Sequence, residues 1–179
     1  MKSHEYQAKQ LLASYGVPVE RGVVVWDADK ADKALHMLGR RPRYVVKAQV
    51  HSGGRGKGHF ADGFPGGGVQ MAKSPEEVER LLRGMLHNRL ITAQNAPKGN
   101  LVTAVYIAEA IDMVQQFYVA VFIDRKRQQP LILVSKDGGM DIESLAETNP
   151  EKFFREYVST TYGLEEYQVR RIAFWLGIK

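Results

Sequence analysis

Apolar residues recur with two different periods along the first half of the chain, which predicts helices mixed with strands. Spacings of three and four residues predict helices at 4–15, 28–38 and 74–88. Continuous β-branched runs predict strands at 22–26, 43–50 and 67–72. Because helices and strands follow each other in this order, the pattern indicates a domain that packs both kinds of element around one core.

Capping signals mark the starts of these helices. Ser3, Asp27 and Ser74 each precede a helix, and each side chain is expected to accept a hydrogen bond from the first turn. Glu77 stands three residues after Ser74 and is expected to complete a capping box. One face of the first helix is expected to carry Ala8, Leu11, Leu12 and Tyr15.

Three β-type runs follow at 101–111, 117–124 and 130–136. Because short connections join antiparallel neighbours, these runs predict an antiparallel meander and an α+β fold. Helices are predicted at 151–158 and 165–179. The last helix presents an apolar face with no later segment to pack on, formed by Val169, Ile172, Ala173 and Leu176. We therefore expect the natural protein to continue beyond this sequence.

Composition narrows the class of protein. The chain has 179 residues, 44% of them hydrophobic, and a formal charge of +5, which fits one globular domain or two small lobes. The absence of cysteine excludes disulfides and thiolate chemistry. No apolar run reaches the roughly 20 residues of a membrane span, and the N-terminus lacks a signal-peptide pattern. Basic residues cluster only at 39–43 and 124–129, where turns are expected.

The positive charge is compatible with nucleic acid, with an anionic small molecule or with a basic face that a partner covers. A nucleic-acid-binding sheet requires aromatic side chains interleaved with Lys and Arg on one face. The strand aromatics are instead explained by a core: Tyr106, Phe117, Tyr118 and Phe122. A basic nucleic-acid-binding module is therefore kept as a remote alternative.

The stretch VVKAQVHSGGRGKGHF, at 45–60, passes from an apolar strand into a glycine-rich loop. It is not a P-loop, because residue 51 is histidine and residue 58 is glycine, and it lacks the helix that follows a dinucleotide fingerprint. Closely spaced glycines let backbone N–H groups approach an anion, and Arg55 and Lys57 add positive charge. The loop predicts either a cationic flap over phosphate groups or a flexible hairpin tip.

Two charged residues interrupt apolar strands. Lys47 lies within YVVKAQV, where an ammonium group is costly unless a partner neutralises it, so we interpret it as a ligand contact. Glu109 lies within VYIAEAID and is expected either to pair with a cation of the core or to contact a ligand. Together with the loop, Lys47 predicts a site for a polyanion.

Five successive segments resemble the β subunits of succinate–CoA ligase (succinyl-CoA synthetase), which are ATP-grasp proteins: HEYQAKQLLASYGVPV, VVKAQVHSGGRGKG, YIAEAID, FYVAVFIDR and DGGMDIE. The resemblance runs from residue 4 to about residue 178. It implies an ATP-grasp fold with a first lobe at about 21–107. Residues 108–179 would form the start of the second lobe, together with the helix at 4–15. The family's CoA-ligase domain is expected to lie outside these residues.

The resemblance also implies a nucleotide site. The lysine would contact the phosphates of ATP or GTP, the glycine–arginine turn would cover them, and the strand glutamate would face the base and ribose. A glutamine stands where the family presents a glutamate to the nucleotide. The implied residues are Lys47, Gly54, Arg55, Gly56, Glu109 and Gln116. The Mg²⁺ ligands of the family are expected beyond residue 179, and no residue of this chain is assigned a catalytic role.

The implied reaction forms succinyl-CoA from succinate and CoA in the tricarboxylic acid cycle, with cleavage of ATP or GTP. The phosphoryl group would pass through a histidine of a separate α subunit, which is the expected partner; neither nucleic acid nor a membrane is implied. A malate–CoA ligase β subunit has the same opening and flap and remains the alternative. We expect the isolated residues to bind nucleotide weakly or not at all and to be inactive alone. Bacterial cytoplasm and mitochondrial matrix are both compatible compartments.

Overall fold

The computed structural model describes residues 2–139 and 142–178, which form two compact units, Met1–Ile111 and Asp112–Lys179. The helices of the first unit are α1 (Glu5–Ser14), α2 (Ala31–Leu38) and α3 (Pro75–Met85). Its strands are β1 (Gly22–Val25), β2 (Tyr44–Ala48), β3 (His59–Phe60), β4 (Val69–Ala72), β5 (Arg89–Ile91), β6 (Asn100–Leu101) and β7 (Val105–Glu109). The second unit contains β8 (Tyr118–Asp124), β9 (Gln129–Ser135), α4 (Ile142–Thr148), β10 (Phe153–Tyr157) and α5 (Glu166–Leu176).

The core of the first unit is an antiparallel sheet in the order β1-β7-β2-β4. Side chains alternate across a strand, so Val46 and Ala48 of β2 face the hydrophobic cluster formed with α2 and α3. Lys47 points to the opposite face with its cross-strand partner Tyr106. Helix α1 contacts this second face, because Lys9 lies over the Tyr106 ring at 5.1 Å from its centre. The sequence-based division grouped this helix with the second lobe, whereas it belongs to the first unit.

The helix starts follow the sequence with three corrections. Asp27 caps a 3₁₀ turn at Ala28–Lys30, and α2 begins only at Ala31. Ser74 accepts a hydrogen bond from Glu77 N at 3.3 Å, but the Glu77 carboxylate accepts from Lys73 N, so the capping box is only half formed. Helix α1 begins after His4 rather than Ser3, and His4 N donates to the side chain of Gln7. The apolar face of α1 is not part of the core, since no residue of this helix is buried.

The antiparallel meander is present, but it consists of different segments. The three-stranded sheet of the second unit has the order β10-β9-β8, whereas β7, in the first of the three predicted runs, pairs with β1 and β2 in the first unit. The predicted helix at 151–158 is wrong, because Phe153–Tyr157 forms β10. Two phenylalanines and a tyrosine favour a strand, and pairing with β9 supplies the backbone hydrogen bonds.

The last helix is partly covered. Leu176 is buried and packs with Ile172, Phe154 and Trp175 against the sheet of the second unit, so the expectation of an unpartnered face was wrong for these positions. Val169 remains exposed. None of the helices in the described part of the chain is long and apolar enough to span a membrane.

Candidate functional site

Five charged side chains of the first unit form a partly buried cluster around Lys47. Lys47 Nζ lies 3.0 Å from Glu5 Oε1 and 3.1 Å from Glu20 Oε1. Lys9 contacts both carboxylates, at 2.8 Å from Glu5 Oε1 and through a hydrogen bond to Glu20. Arg55 donates from Nη2 to Glu5 Oε2 at 2.6 Å. The structure therefore joins two of the predicted site residues, Lys47 and Arg55, through Glu5.

Three parts of the chain position this cluster. Strand β2 carries Lys47 at the face opposite the core, and α1 begins above it with Glu5. Gln49 is 1% exposed, donates to Lys47 O at 3.0 Å and accepts from Tyr6 N at 3.3 Å, so it links the end of β2 to the start of α1. Arg55 reaches back from the glycine loop and donates to Ala48 O at 2.7 Å.

The charges in the cluster are nearly balanced. Burial by itself would raise the pKa of Glu5, but hydrogen bonds from Lys9 and Arg55 and the charge of Lys47 lower it to about 2. Burial would also raise the pKa of Glu20, but hydrogen bonds and charge from Lys9 and Lys47 lower it. Burial would lower the pKa of Lys9, but its contacts with Glu20 and Glu5 raise it. Three cations face two carboxylates, which leaves one net positive charge at neutral pH. The cluster can attract an anion, although its lysine already has internal partners.

The interpretation of Lys47 as a residue that requires an external ligand is thus corrected. Its side chain is 19% exposed, and two carboxylates neutralise it within the chain. Burial of the ammonium group is therefore no argument for a bound ligand. The position of Lys47 at the end of β2, beside Arg55 and the glycine loop, is the observation that remains relevant to anion binding.

The glycine loop is ordered around a short 3₁₀ turn at Arg55–Lys57. Gly54 precedes this turn with φ 68°, a left-handed conformation that favours glycine. Gly53 N donates to Gln94 Oε1 at 2.7 Å, and Gly68 N donates to Arg55 O at 2.8 Å, so both arms of the loop are anchored. Gly54 and Gly56 are exposed. Their location at the surface is suitable for a flap whose amides approach an anion.

Glu109 forms an ion pair, one of the two possibilities that the sequence left open, but this pair is partly exposed rather than in the core. Its Oε2 lies 3.0 Å from Arg41 Nε, and its Oε1 accepts a hydrogen bond from Arg21 N at 3.1 Å. Glu109 is the cross-strand partner of Tyr44, three positions along β2 from Lys47. Because an odd offset reverses the face of a strand, Glu109 and Lys47 point to opposite faces of the sheet.

Gln116 lies in the second unit, in the wall of an open cavity of about 510 Å³ lined by Met113–Gln116 and Lys136–Gly138. Its backbone oxygen accepts a hydrogen bond from Gly138 N at 3.1 Å, and its Nε2 lies 3.0 Å from Met113 Sδ. A side chain at Gly139 would overlap the Gln116 amide. The residues that follow Lys136 therefore fix the position of Gln116.

Sequence reasoning missed Glu5 and Lys9, and it did not connect Glu20 with Lys47. The spacing of Glu5 and Lys9 signals an ion pair along α1, but nothing in the sequence connects this pair to Lys47. A cavity of about 260 Å³ adjoins the cluster and is lined by Tyr6, Lys9, Gln10, Ala13, Val19, Glu20, Arg21, Gly22, Val24 and Tyr106. Within residues 2–139 and 142–178, no group of three His, Asp or Glu side chains could hold a metal ion.

Comparison with known proteins gives a consistent result. The ATP-grasp domain family matches residues 2–179. The chain is 45% identical over 179 residues to the β subunit of ADP-forming succinate–CoA ligase from Acidiphilium cryptum, a match that covers 99% of this chain and 45% of that protein. It is 46% identical over 181 residues to the corresponding subunit of Cereibacter sphaeroides, covering 100% of this chain and 45% of that protein. The chain thus spans less than half the length of these relatives.

Solved structures show the same fold at low sequence identity. ATP citrate lyase from Methanothrix soehngenii superposes with a TM-score of 0.64 and 20% identity, over 90% of this chain and 36% of that chain. A dinucleotide-forming acetyl-coenzyme A synthetase from Ca. Korarchaeum cryptofilum gives a TM-score of 0.63 and 18% identity, over 96% of this chain and 65% of that chain. These similarities confirm the predicted ATP-grasp architecture.

Proposed function

Because this chain belongs to the ATP-grasp domain family, we propose that it is the nucleotide-binding part of a succinate–CoA ligase β subunit. The observation that carries the proposal is 45% identity along 99% of the chain to a curated subunit of that kind. The names of the relatives favour succinate over malate as the acid and ATP over GTP as the nucleotide. The relatives come from bacteria, which makes the bacterial cytoplasm the proposed compartment.

The proposed phosphate site is the exposed side of the charged cluster. Lys47 and Arg55 supply positive charge, and the backbone N–H groups of Gly54 and Gly56 supply donors at the loop surface. Phosphoryl transfer asks the protein chiefly to position the reactants and to stabilise charge on phosphate oxygens. This part of the chain contributes positive charge and amide donors to that task.

The other predicted contacts have different support. Gln116 is proposed as a polar contact for the nucleotide, because its amide lines an open cavity and can hydrogen-bond a sugar hydroxyl. Glu109 is proposed to act mainly in the fold, since Arg41 and Arg21 already use both of its oxygens. Mg²⁺ is proposed to be held by residues outside the described part of the chain, in which no group of three His, Asp or Glu side chains could hold a metal ion.

The proposed partner is an α subunit that carries the phosphorylated histidine. The β-subunit relatives support this assembly, and succinate and CoA would bind mainly outside the present residues. In this arrangement the chain holds the nucleotide, whose terminal phosphoryl group is transferred to the partner's histidine.

Nucleotide binding is tested by two-dimensional NMR of the 179-residue chain, titrated with ATP, GTP and ADP. We expect weak binding, with dissociation constants of about 1 mM or higher, and shifts confined to the amides around Lys47 and residues 53–57 for the first unit. ATP should shift these signals at lower concentration than GTP. Shifts that are spread over unrelated basic residues would count against the proposed phosphate site.

The complete activity is tested in a chimera. The matching segment of the Acidiphilium cryptum β subunit is replaced by this chain, and the product is expressed together with the α subunit of that organism. We expect succinyl-CoA formation that depends on ATP, with lower activity for GTP and for malate. A chimera that assembles with the α subunit but forms no acyl-CoA from any acid would contradict the proposed function.

A further inference from the structure

Glu5 is the first residue of α1, and its carboxylate contacts three cations: Lys9 and Lys47 through one oxygen and Arg55 through the other. Oε1 lies 3.0 Å from Lys47 Nζ, and Oε2 lies 2.6 Å from Arg55 Nη2. A phosphate group that bridges a lysine and an arginine would use two of its oxygens in the same way. The carboxylate therefore stands on the two cations that the proposed function assigns to nucleotide phosphates.

From this geometry we infer that Glu5 competes with nucleotide phosphate for Lys47 and Arg55. The start of α1 is then a built-in occupant of the site and gives up at least one of the two contacts when a phosphate binds. This inference rests on the proposed function and adds to it that Glu5 lowers the affinity of the site for nucleotide phosphate. It predicts that neutralising Glu5 strengthens phosphate binding.

The charges around the site favour competition between Glu5 and phosphate over a role of Glu5 that is limited to positioning Lys47 and Arg55. A phosphate that approaches Lys47 also meets Glu20, 3.1 Å from the same ammonium group. With both carboxylates in place, the cluster carries one net positive charge. This charge is smaller in magnitude than the negative charge of a nucleoside triphosphate. Removing the charge of Glu5 raises the net charge of the cluster from +1 to +2 and removes the repulsion between the Glu5 carboxylate and the phosphate.

The packing of α1 permits displacement. None of its ten residues is buried, and Leu11 and Leu12 are exposed to solvent. Little apolar surface is therefore lost when the first turn moves. Elements with few buried contacts open at low free energy, so α1 is suited to exchange its place with a ligand.

The experiment titrates three proteins with ADP and, separately, with inorganic tripolyphosphate, followed by NMR. They are the wild-type chain, Glu5→Gln and the control Glu166→Gln. Glu166 is a matched control, because it is the first residue of α5 and pairs with Arg170 four positions later, as Glu5 pairs with Lys9. We expect Glu5→Gln to bind both probes about five-fold more tightly and the control to match the wild type. The gain should shrink as ionic strength rises.

A second measurement follows α1 directly. Hydrogen exchange of the amides in its first turn should become faster in the wild type when tripolyphosphate binds. If Glu5→Gln does not fold, Glu5→Asp replaces it, since the shorter side chain cannot bridge both cations and should also bind the probes more tightly.

The possible results separate the two claims. If the wild type binds the probes near Lys47 but Glu5→Gln binds no more tightly, the inference is overturned and the proposed function stands. Increased protection of α1 on binding would also overturn it. If neither probe binds near Lys47 in any variant, the inference and the proposed phosphate site both fail.

Discussion

Glu5 and Lys47 lie 42 positions apart in the sequence and form an ion pair of 3.0 Å between helix α1 and strand β2. This contact changes the meaning of the lysine in its apolar strand. Its charge is compensated by the fold, so a ligand has to compete for it rather than simply fill a vacant position. The role of Lys47 in binding therefore depends on Glu5 as well as on the ligand.

Replacing Lys47 should weaken both nucleotide binding and the fold. In Lys47→Met, Glu5 and Glu20 lose a shared cation, and we expect a loss of about 1–2 kcal/mol in the free energy of unfolding. The dissociation constant for ATP, measured from the NMR shifts around residues 53–57, should increase at least about ten-fold. The measurements are urea unfolding and NMR titration.

Lys33→Met provides the control for this change, because Lys33 is exposed on α2 away from the cluster. It should leave both the stability and the titration close to wild type. Unchanged ATP binding in a folded Lys47→Met protein would exclude Lys47 as a phosphate contact.

The low pKa of Glu5 predicts a loss of stability in acid. The pKa is about 2 in the folded chain, against an ordinary value of 4.5 for a glutamate. A depressed carboxyl pKa contributes stability above pH 4.5, and this contribution is lost as the pH falls from 4.5 toward 2. We expect about 2 kcal/mol at neutral pH after allowance for solvent screening.

Glu5→Gln isolates this contribution, since glutamine has the same shape and does not titrate. The free energy of unfolding of the wild type should exceed that of the variant above pH 5, and the difference should approach zero near pH 2. The measurement is urea unfolding at a series of pH values. A difference that is constant across this range would show that Glu5 acts through contacts other than its charge.

The sequence was sufficient to predict elements whose signals are local. Helix α3 begins after Ser74 as expected, and β2, Tyr44–Ala48, lies within the strand predicted at 43–50. Local patterns failed where pairing decides the structure. The segment around Phe153 has spacing compatible with a helix, but hydrogen bonds to β9 make it a strand.

The charged cluster was beyond sequence reasoning for the same physical reason. Its residues come from α1, from the segment before β1, from β2 and from the glycine loop, and only the folded sheet brings them together. Lys47 and Arg55 could be singled out because one interrupts an apolar run and the other lies among glycines. Glu5 and Glu20 lie in ordinary polar surroundings, so their partners could not be identified.

Gly67 should be more sensitive to substitution than Gly56, although Gly56 lies in the proposed flap. A Cβ at Gly67 would overlap the backbone oxygen of Gly56 and lie 3.0 Å from Arg55 O, whereas a Cβ at Gly56 has its nearest neighbour, in Val69, at 3.9 Å. We expect Gly67→Ala to cost about 2 kcal/mol in stability and Gly56→Ala less than about 0.5 kcal/mol. Urea unfolding measures both costs. Equal costs would mean that the 3₁₀ turn at Arg55 can move to accommodate the new methyl group with little loss of stability.

The second unit contains a buried polar pair whose two members should depend on each other. Gln168 Nε2 donates to Glu156 Oε1 at 2.8 Å and to Tyr157 O at 2.8 Å, and both residues of the pair are about 5% exposed or less. Gln168→Leu removes the donor and leaves a buried carboxylate with a weaker contact to Arg171, 3.4 Å away. We expect this change to destabilise the second unit by about 2–3 kcal/mol.

The double variant tests whether that cost comes from the carboxylate left behind. When Glu156→Leu is combined with Gln168→Leu, no charge remains buried without its donor, so the double variant should be more stable than Gln168→Leu alone. Urea unfolding is followed by the fluorescence of Trp175 in a Trp26→Phe background, so that only the second unit is observed. Arg170→Leu, exposed on the same helix, should change the stability by less than about 0.5 kcal/mol. Glu156→Leu alone is measured as well. If the costs of Gln168→Leu and Glu156→Leu simply add in the double variant, the pair is not coupled, and the stability of this unit rests on its apolar contacts.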